Sequence, residues 1–111
     1  RFAHLKPAAP DFRIYCDNAY SFHHLYDDNQ DFLVEILEAC AKAGNPDLVY
    51  KFTSTSKVSF PGSGIAAVAA SKANLEDFRS YMQIQTIGHD KLNQLRHVKF
   101  FKNIDGLHEH M

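Results

Sequence analysis

Apolar positions recur along this chain with more than one period, and each period predicts a different element. Between Asp31 and Ala43, the side chains of Phe32, Leu33, Ile36, Leu37 and Cys40 fall on one face at helical spacing. Asn29 and Asp31 supply a capping region ahead of them and Gly44-Asn45-Pro46 a stop behind, so a helix is predicted over 31–43. Phe12 to Asp17 (FRIYCD) and Leu48 to Thr53 (LVYKFT) are short, aromatic and β-branched, which predicts two strands. A strand, a helix and a strand in that order predict a right-handed parallel crossover. Ile65 to Ala70 (IAAVAA) is apolar without alternation, as a strand covered on both faces would be, although such a run by itself is equally compatible with a helix. Asn74 is placed to cap a helix running to about Ile84, with Leu75, Phe78 and Met82 inward. Asp90 to Asn103 predict a last helix with Leu92, Leu95, Val98 and Phe100 or Phe101 as its apolar stripe. The expected order is β-α-β-β-α-α, an α/β fold layered α/β/α, with residues 1–111 forming one domain.

Composition narrows the partners. The chain is 45% hydrophobic and 13% aromatic, and its formal charge is −1, with acidic and basic residues interspersed. A nucleic-acid binder needs a basic stripe to neutralise phosphates, and none is present. No apolar run approaches the roughly 18 residues that span a bilayer, and no leader pattern opens the chain, so a cytoplasmic protein without a membrane partner is expected. Cys16 and Cys40 fall in a predicted strand and a predicted helix and form no C-x-x-C pair, so both are expected to be reduced thiols in the interior. The opening RFAHLKPAAPDF has no initiator methionine, and the closing NIDGLHEHM shows neither a helix cap nor a polar tail. The expectation is a piece of a longer protein, truncated at both ends.

In a parallel α/β sheet, ligands sit beyond the carboxyl ends of the strands. The first strand delivers Asp17, Asn18 and Tyr20 there, and the second delivers Ser54, Thr55, Ser56 and Lys57. A lysine can form an imine once its amine is neutral, a carboxylate can hold a ring nitrogen protonated, and hydroxyls with turn N–H groups can hold a phosphate. Taken singly these residues are ordinary: a solvated lysine at a strand end, an aspartate in a turn, a tyrosine that packs. Their combination is what carries the chemistry.

The segments APDFRIYCDNAYSFHHL, FTSTSKVSFPGSGIAAVAAS and IGHDKLNQLRHVKFF together resemble the large domain of a pyridoxal-phosphate-dependent aminotransferase of the aspartate-aminotransferase fold type, in its bacterial subgroup. The motifs are D-N-A-Y and, about forty residues on, S-x-S-K. The resemblance implies that Lys57 forms a Schiff base with pyridoxal 5'-phosphate and moves the proton between the substrate α-carbon and cofactor C4′. It implies that Asp17 pairs with the pyridine nitrogen, that Tyr20 hydrogen-bonds the phenolic oxygen, and that Ser54, with Ser56 as a second candidate, contacts the phosphate. In most relatives the turn after the lysine runs P-G-x-R-x-G, with the arginine on the phosphate; here Gly64 stands in the arginine's place. The implied activity is transfer of an amino group between a dicarboxylic amino acid such as aspartate and a 2-oxo acid. The implied assembly is a homodimer with sites at its interface. The ring-stacking aromatic and the arginine for the substrate α-carboxylate match nothing in the chain, so residues 1–111 are expected to be inactive alone.

Fold and lysine leave the broken bond open, so a β-lyase or decarboxylase using the same cofactor is an alternative. A non-catalytic α/β fragment that associates with itself through unpaired strands is another. Lys91, Arg96, His97 and Lys99 read as a solvated basic face, with Lys91 or Arg96 as candidates for a substrate's distal carboxylate. His23-His24, His108 and His110 lack a spacing that completes a zinc site, and no metal is expected.

Overall fold

The computed structural model describes residues 1–111. Three strands form one sheet in the order β1 (Ile14–Asp17), β2 (Val49–Ser54), β3 (Ala66–Ala70). β1 runs parallel to β2 with Ile14 opposite Val49 and Asp17 opposite Phe52. β3 returns antiparallel, with Tyr50 opposite Ala70 and Ser54 opposite Ala66. The helices are α1 (Ile36–Lys42), α2 (Lys72–Gln85), α3 (Lys91–Phe101) and α4 (Ile104–His110). No helix is long and apolar enough to cross a membrane.

Alternation along the strands divides the sheet into two faces. Ile14, Cys16 and Val49 face α1, where Cys40 and Val49 are fully buried beside Leu48, with Ile36 and Leu37 packed on them. Burial pushes the Cys40 thiol pKa up, and Cys16, half-buried, borders the same cluster. The opposite face carries a ladder of rings, Tyr15 on Tyr50 with centroids 5.6 Å apart and Tyr50 on Phe52 at 6.3 Å, and Phe78 of α2 closes on Tyr50 at 6.4 Å. Burial also raises the Tyr50 phenol, reinforced by Asp77, and its hydroxyl donates to the Asn74 carbonyl at 3.3 Å. Helices on both faces of a sheet make the expected three layers.

Several boundaries differ from the sequence expectation for identifiable reasons. β1 starts at Ile14 because the Arg13 guanidinium folds onto the Pro10 and Phe12 carbonyls. α1 starts at Ile36, five residues late: the Glu35 carboxylate accepts from the Leu37 N–H at 3.2 Å and pairs with Lys51, which fixes the cap there and leaves Phe32 88% exposed. β3 is an edge strand, with Ala66, Ala67 and Ala69 exposed rather than covered on both faces. Ser71 caps α2 by accepting from the Asn74 N–H at 3.2 Å, so Asn74 lies inside the helix. There it is buried, donating from Nδ2 to the Asp47 carbonyl at 2.9 Å and accepting at Oδ1 from Arg13 at 3.4 Å. α3 buries His97 and Phe101, while Leu92 and Val98 of the expected stripe are exposed. A fourth helix follows the expected three, capped by Asn103, whose Oδ1 accepts from the Gly106 N–H at 3.0 Å.

Only eight of the 111 residues are buried, and the radius of gyration is 16.4 Å with extents of 44 × 43 × 20 Å. A compact domain of this length would have a radius near 13 Å. The chain is therefore flatter and more open than a compact domain of its length.

Asn74→Ala is expected to cost about 1–3 kcal/mol, because it strands the Asp47 carbonyl and part of the Arg13 side chain. An unchanged urea midpoint would show that this amide is dispensable. The hydrogen bond from Lys51 is the main cause holding the Glu35 carboxyl below its usual range. A depressed carboxyl pKa contributes stability above the unfolded value, and the contribution is lost as pH falls through the folded value. Since the pair is substantially solvated, the stability gap between wild type and Glu35→Gln is expected to stay under about 1 kcal/mol near neutrality. It should close on acidification; a gap persisting at about pH 2 would contradict this origin.

Candidate functional site

Parallel pairing of β1 and β2 brings both strands' carboxyl ends to one edge of the sheet. The junction extends past the ladder: the Asn18 N–H donates to the Phe52 carbonyl at 2.8 Å, and Thr53 Oγ1 donates to the Asn18 carbonyl at 3.2 Å. Asp17 ends β1 and is exposed; its Oδ1 accepts from the Ala19 N–H at 3.1 Å, and it forms no ion pair. That small Asx turn directs the chain towards Tyr20.

Lys57 lies beyond β2 in a single helical turn. The Val58 and Ser59 N–H groups both donate to the Thr55 carbonyl, at 3.1 and 2.8 Å, and Val58 is buried beneath the turn. Lys57 itself is exposed, with Nζ 5.6 Å from the centroid of the Tyr20 ring. His23 holds the same junction from the other side, its Nε2 3.2 Å from the Lys57 carbonyl and its ring edge-on to Tyr20 at 5.2 Å. Tyr20 and Lys57, far apart in sequence, thus meet directly.

Ser54 Oγ accepts from the Ser56 N–H at 3.4 Å, which leaves its own proton free to donate, and the Ser56 hydroxyl makes no hydrogen bond within the chain. Gly64 crosses directly over Ser56. A Cβ at Gly64 would lie 2.7 Å from Ser56 Oγ and 3.0 Å from its backbone N. No side chain, arginine included, fits at position 64 without moving the residue next to Lys57. The glycine keeps the space above the Ser56 hydroxyl open.

The set of a carboxylate without a counter-ion, a phenol beside an exposed amine, and two hydroxyls with uncommitted protons fits a ligand carrying a basic ring nitrogen, a carbonyl and a phosphate. The site is an open edge rather than an enclosed cavity. Tyr20 borders a groove of about 980 Å³, Ser54 a different one of about 200 Å³, and Lys57 lines neither.

Lys91, exposed at the start of α3, makes no ion pair. Arg96 faces a groove of about 710 Å³ with Ser59, Phe60 and Ser63 of the lysine loop, but Lys57 is not part of it. His108 packs edge-on against Phe22, and His110 against Phe100 and Phe101, so these histidines act as aromatic packing. His97, read from sequence as part of a solvated face, is instead buried against the lysine loop, with Nε2 2.8 Å from Thr55 Oγ1. Spacing carried a signal for it: Asn93, His97 and Phe101 recur every four residues on one face of α3.

The chain matches, over residues 1–111, the family described as aspartate amino-transferase. It is 40% identical over its whole length to a protein of Mycolicibacterium smegmatis named as an aminotransferase. It is 36% identical over 107 residues, 96% of the chain, to an aspartate aminotransferase of Corynebacterium glutamicum. Among solved structures, an aminotransferase structure from Corynebacterium diphtheriae superposes with a TM-score of 0.89 at 42% identity, covering 97% of this chain and 26% of that one. An aspartate transaminase from C. glutamicum superposes at 0.90 with 35% identity, covering 98% and 26%. The chain spans about a quarter of the length of these relatives, 26% and 24% of the two curated proteins. With the motif residues gathered at one sheet edge and the match running from end to end, the chain belongs to the aspartate aminotransferase family.

Proposed function

We propose that Lys57 is the cofactor-anchoring, proton-moving lysine of a pyridoxal 5'-phosphate aminotransferase. On this reading the full-length protein exchanges an amino group between a dicarboxylic amino acid, aspartate first, and a 2-oxo acid. The observation that carries this is the convergence of Asp17, Tyr20, Ser54, Ser56 and Lys57 on the carboxyl edge of β1 and β2, with Lys57 Nζ over the Tyr20 ring. The likeness to the aspartate aminotransferase of C. glutamicum supports the choice of substrate.

When bound, the cofactor supplies an electron sink for the charge left on the substrate α-carbon. Lys57 would hold the cofactor through Nζ, and its amine, when free, would move the proton between the substrate α-carbon and cofactor C4′. Asp17 would keep the ring nitrogen protonated, and Tyr20 would donate to the phenolic oxygen. Ser54 and Ser56 donate their free hydroxyl protons to the phosphate, Ser56 through the opening that Gly64 leaves. The groups that cover the ring face and bind the α-carboxylate come from outside residues 1–111, and a second copy of the protein completes the site in a homodimer. Residues 1–111 alone are inactive on this reading.

Borohydride reduction of the full-length protein loaded with pyridoxal phosphate, followed by digestion and mass spectrometry, should mark Lys57. Aspartate should bleach the absorbance of the unreduced protein, and Lys57→Ala should lower kcat at least about 10³-fold. A mark on another lysine, or undiminished transamination by Lys57→Ala, would overturn the assignment. Gly64→Ala should weaken pyridoxal phosphate binding and lower stability by about 1–3 kcal/mol, since the methyl must displace Ser56. Wild-type affinity in a folded Gly64→Ala protein would refute the role given to the opening over Ser56.

A further inference from the structure

The loop that carries Lys57 is held at both ends by one face of α3, through a network that the proposed chemistry does not use. At its start, the Thr55 N–H donates to the Ile65 carbonyl at 2.9 Å, and Thr55 Oγ1 accepts from the Ile65 N–H at 2.9 Å. The same Oγ1 lies 2.8 Å from Nε2 of the buried His97. At its end, Asn93 Nδ2 donates to two successive carbonyls, Ser63 at 2.8 Å and Gly64 at 3.1 Å. His97 Nδ1 is 2.9 Å from the Asn93 carbonyl, so α3 contributes its own backbone to the network.

These contacts fix the protons. The Asn93 carbonyl can only accept, so His97 carries its hydrogen on Nδ1 and offers Nε2 as an acceptor. The Thr55 hydroxyl has a single proton to give. Its approach to His97 is far closer than its 3.5 Å approach to the Ile65 carbonyl, so the proton goes to Nε2. Asn93 is oriented with equal certainty, because both of its loop partners are carbonyls and require its NH₂. The consequence is a buried Oδ1 without any donor. The amide's contribution to the loop is therefore made wholly by its NH₂. What it gains is a bidentate hold on the segment that crosses Ser56.

We propose that His97 and Asn93 are positioning residues for Lys57, His97 acting through Thr55 and Asn93 through Gly64. Thr55 is two residues before Lys57, and its carbonyl is the anchor of the turn on which the lysine sits. Gly64 is the residue that sets the clearance over Ser56. The two contacts therefore lock both the turn that aims Nζ and the opening above the hydroxyl beside it. This role rests on the assignment of Lys57 as the cofactor lysine.

The test uses the full-length protein and two readouts. In its cofactor-free form, hydrogen–deuterium exchange at the Val58, Ser59 and Ile65 amides should accelerate about tenfold in His97→Leu, the size expected for one lost buried hydrogen bond, and further at Ile65 in Thr55→Val, which also loses the acceptor of the Ile65 N–H. Amides of β1 and α1 should keep their wild-type rates, which controls for misfolding. Absorbance titration with pyridoxal phosphate should show weakened affinity in both variants, with no loss in the double variant beyond that of Thr55→Val alone. His97→Gln, whose carbonyl can still accept from Thr55, should restore both readouts. Unchanged exchange in the loop, changed exchange with unchanged cofactor affinity, or a Gln variant that behaves like Leu would each overturn the proposal. Failure of the assignment beneath it has a different signature: wild-type protein whose Lys57 remains unmodified after borohydride reduction, which removes this role as well.

Discussion

Everything at the functional edge depends on β2 being paired differently on its two sides. Its parallel pairing with β1 aligns two carboxyl ends, which is how Asp17 and Tyr20 come near Ser54 and Lys57 across some forty residues of sequence. Its antiparallel pairing with β3 forces the chain to reverse within the segment that carries the lysine. A parallel strand cannot be reached by a tight turn, and an antiparallel one can. The lysine loop is the second kind of connection placed at the end of the first kind of pair.

Substituting glycine for the expected arginine after the lysine becomes intelligible at the level of atoms. The position is not free to hold a side chain, because the backbone passes within contact distance of Ser56. Where a guanidinium would supply charge from a distance, this loop brings hydroxyl donors close and keeps the space above one of them clear. On the phosphate-binding role proposed for Ser54 and Ser56, short oriented dipoles would do at this turn what a formal charge does in the arginine form.

Much of the scaffold was legible in the sequence because it rests on local patterns. FRIYCD contains β1 and LVYKFT covers β2 up to its last residue, Ser54; the first helix ends at Gly44-Asn45-Pro46 as expected, and the last expected helix begins at Asp90, which caps α3. Errors arose where a tertiary contact outbid a local preference. Lys51, on a strand, fixes the cap of α1 at Glu35; Asp47 and Arg13 draw Asn74 out of a capping role into the interior. α4 leaves little trace in the pattern, because its cap, Asn103, lies at the end of the preceding helical stretch. Among the candidate site residues, those in the D-N-A-Y and S-x-S-K motifs could be named from the sequence, while the contacts beneath them could not. Thr55 was visible only as one more hydroxyl in a run, and His97 only as one more base on a helix, until the fold brought their side chains to hydrogen-bonding distance.

The closure of the lysine loop by Thr55 and Ile65 also bears on how the site comes into being. Ends separated by about ten residues meet by diffusion in roughly 10–100 ns, far faster than a crossover between parallel strands can be assembled. The hairpin of β2 and β3 can therefore close without waiting for β1 to find its register. The order that loop-closure entropy favours is therefore the hairpin first and β1 second.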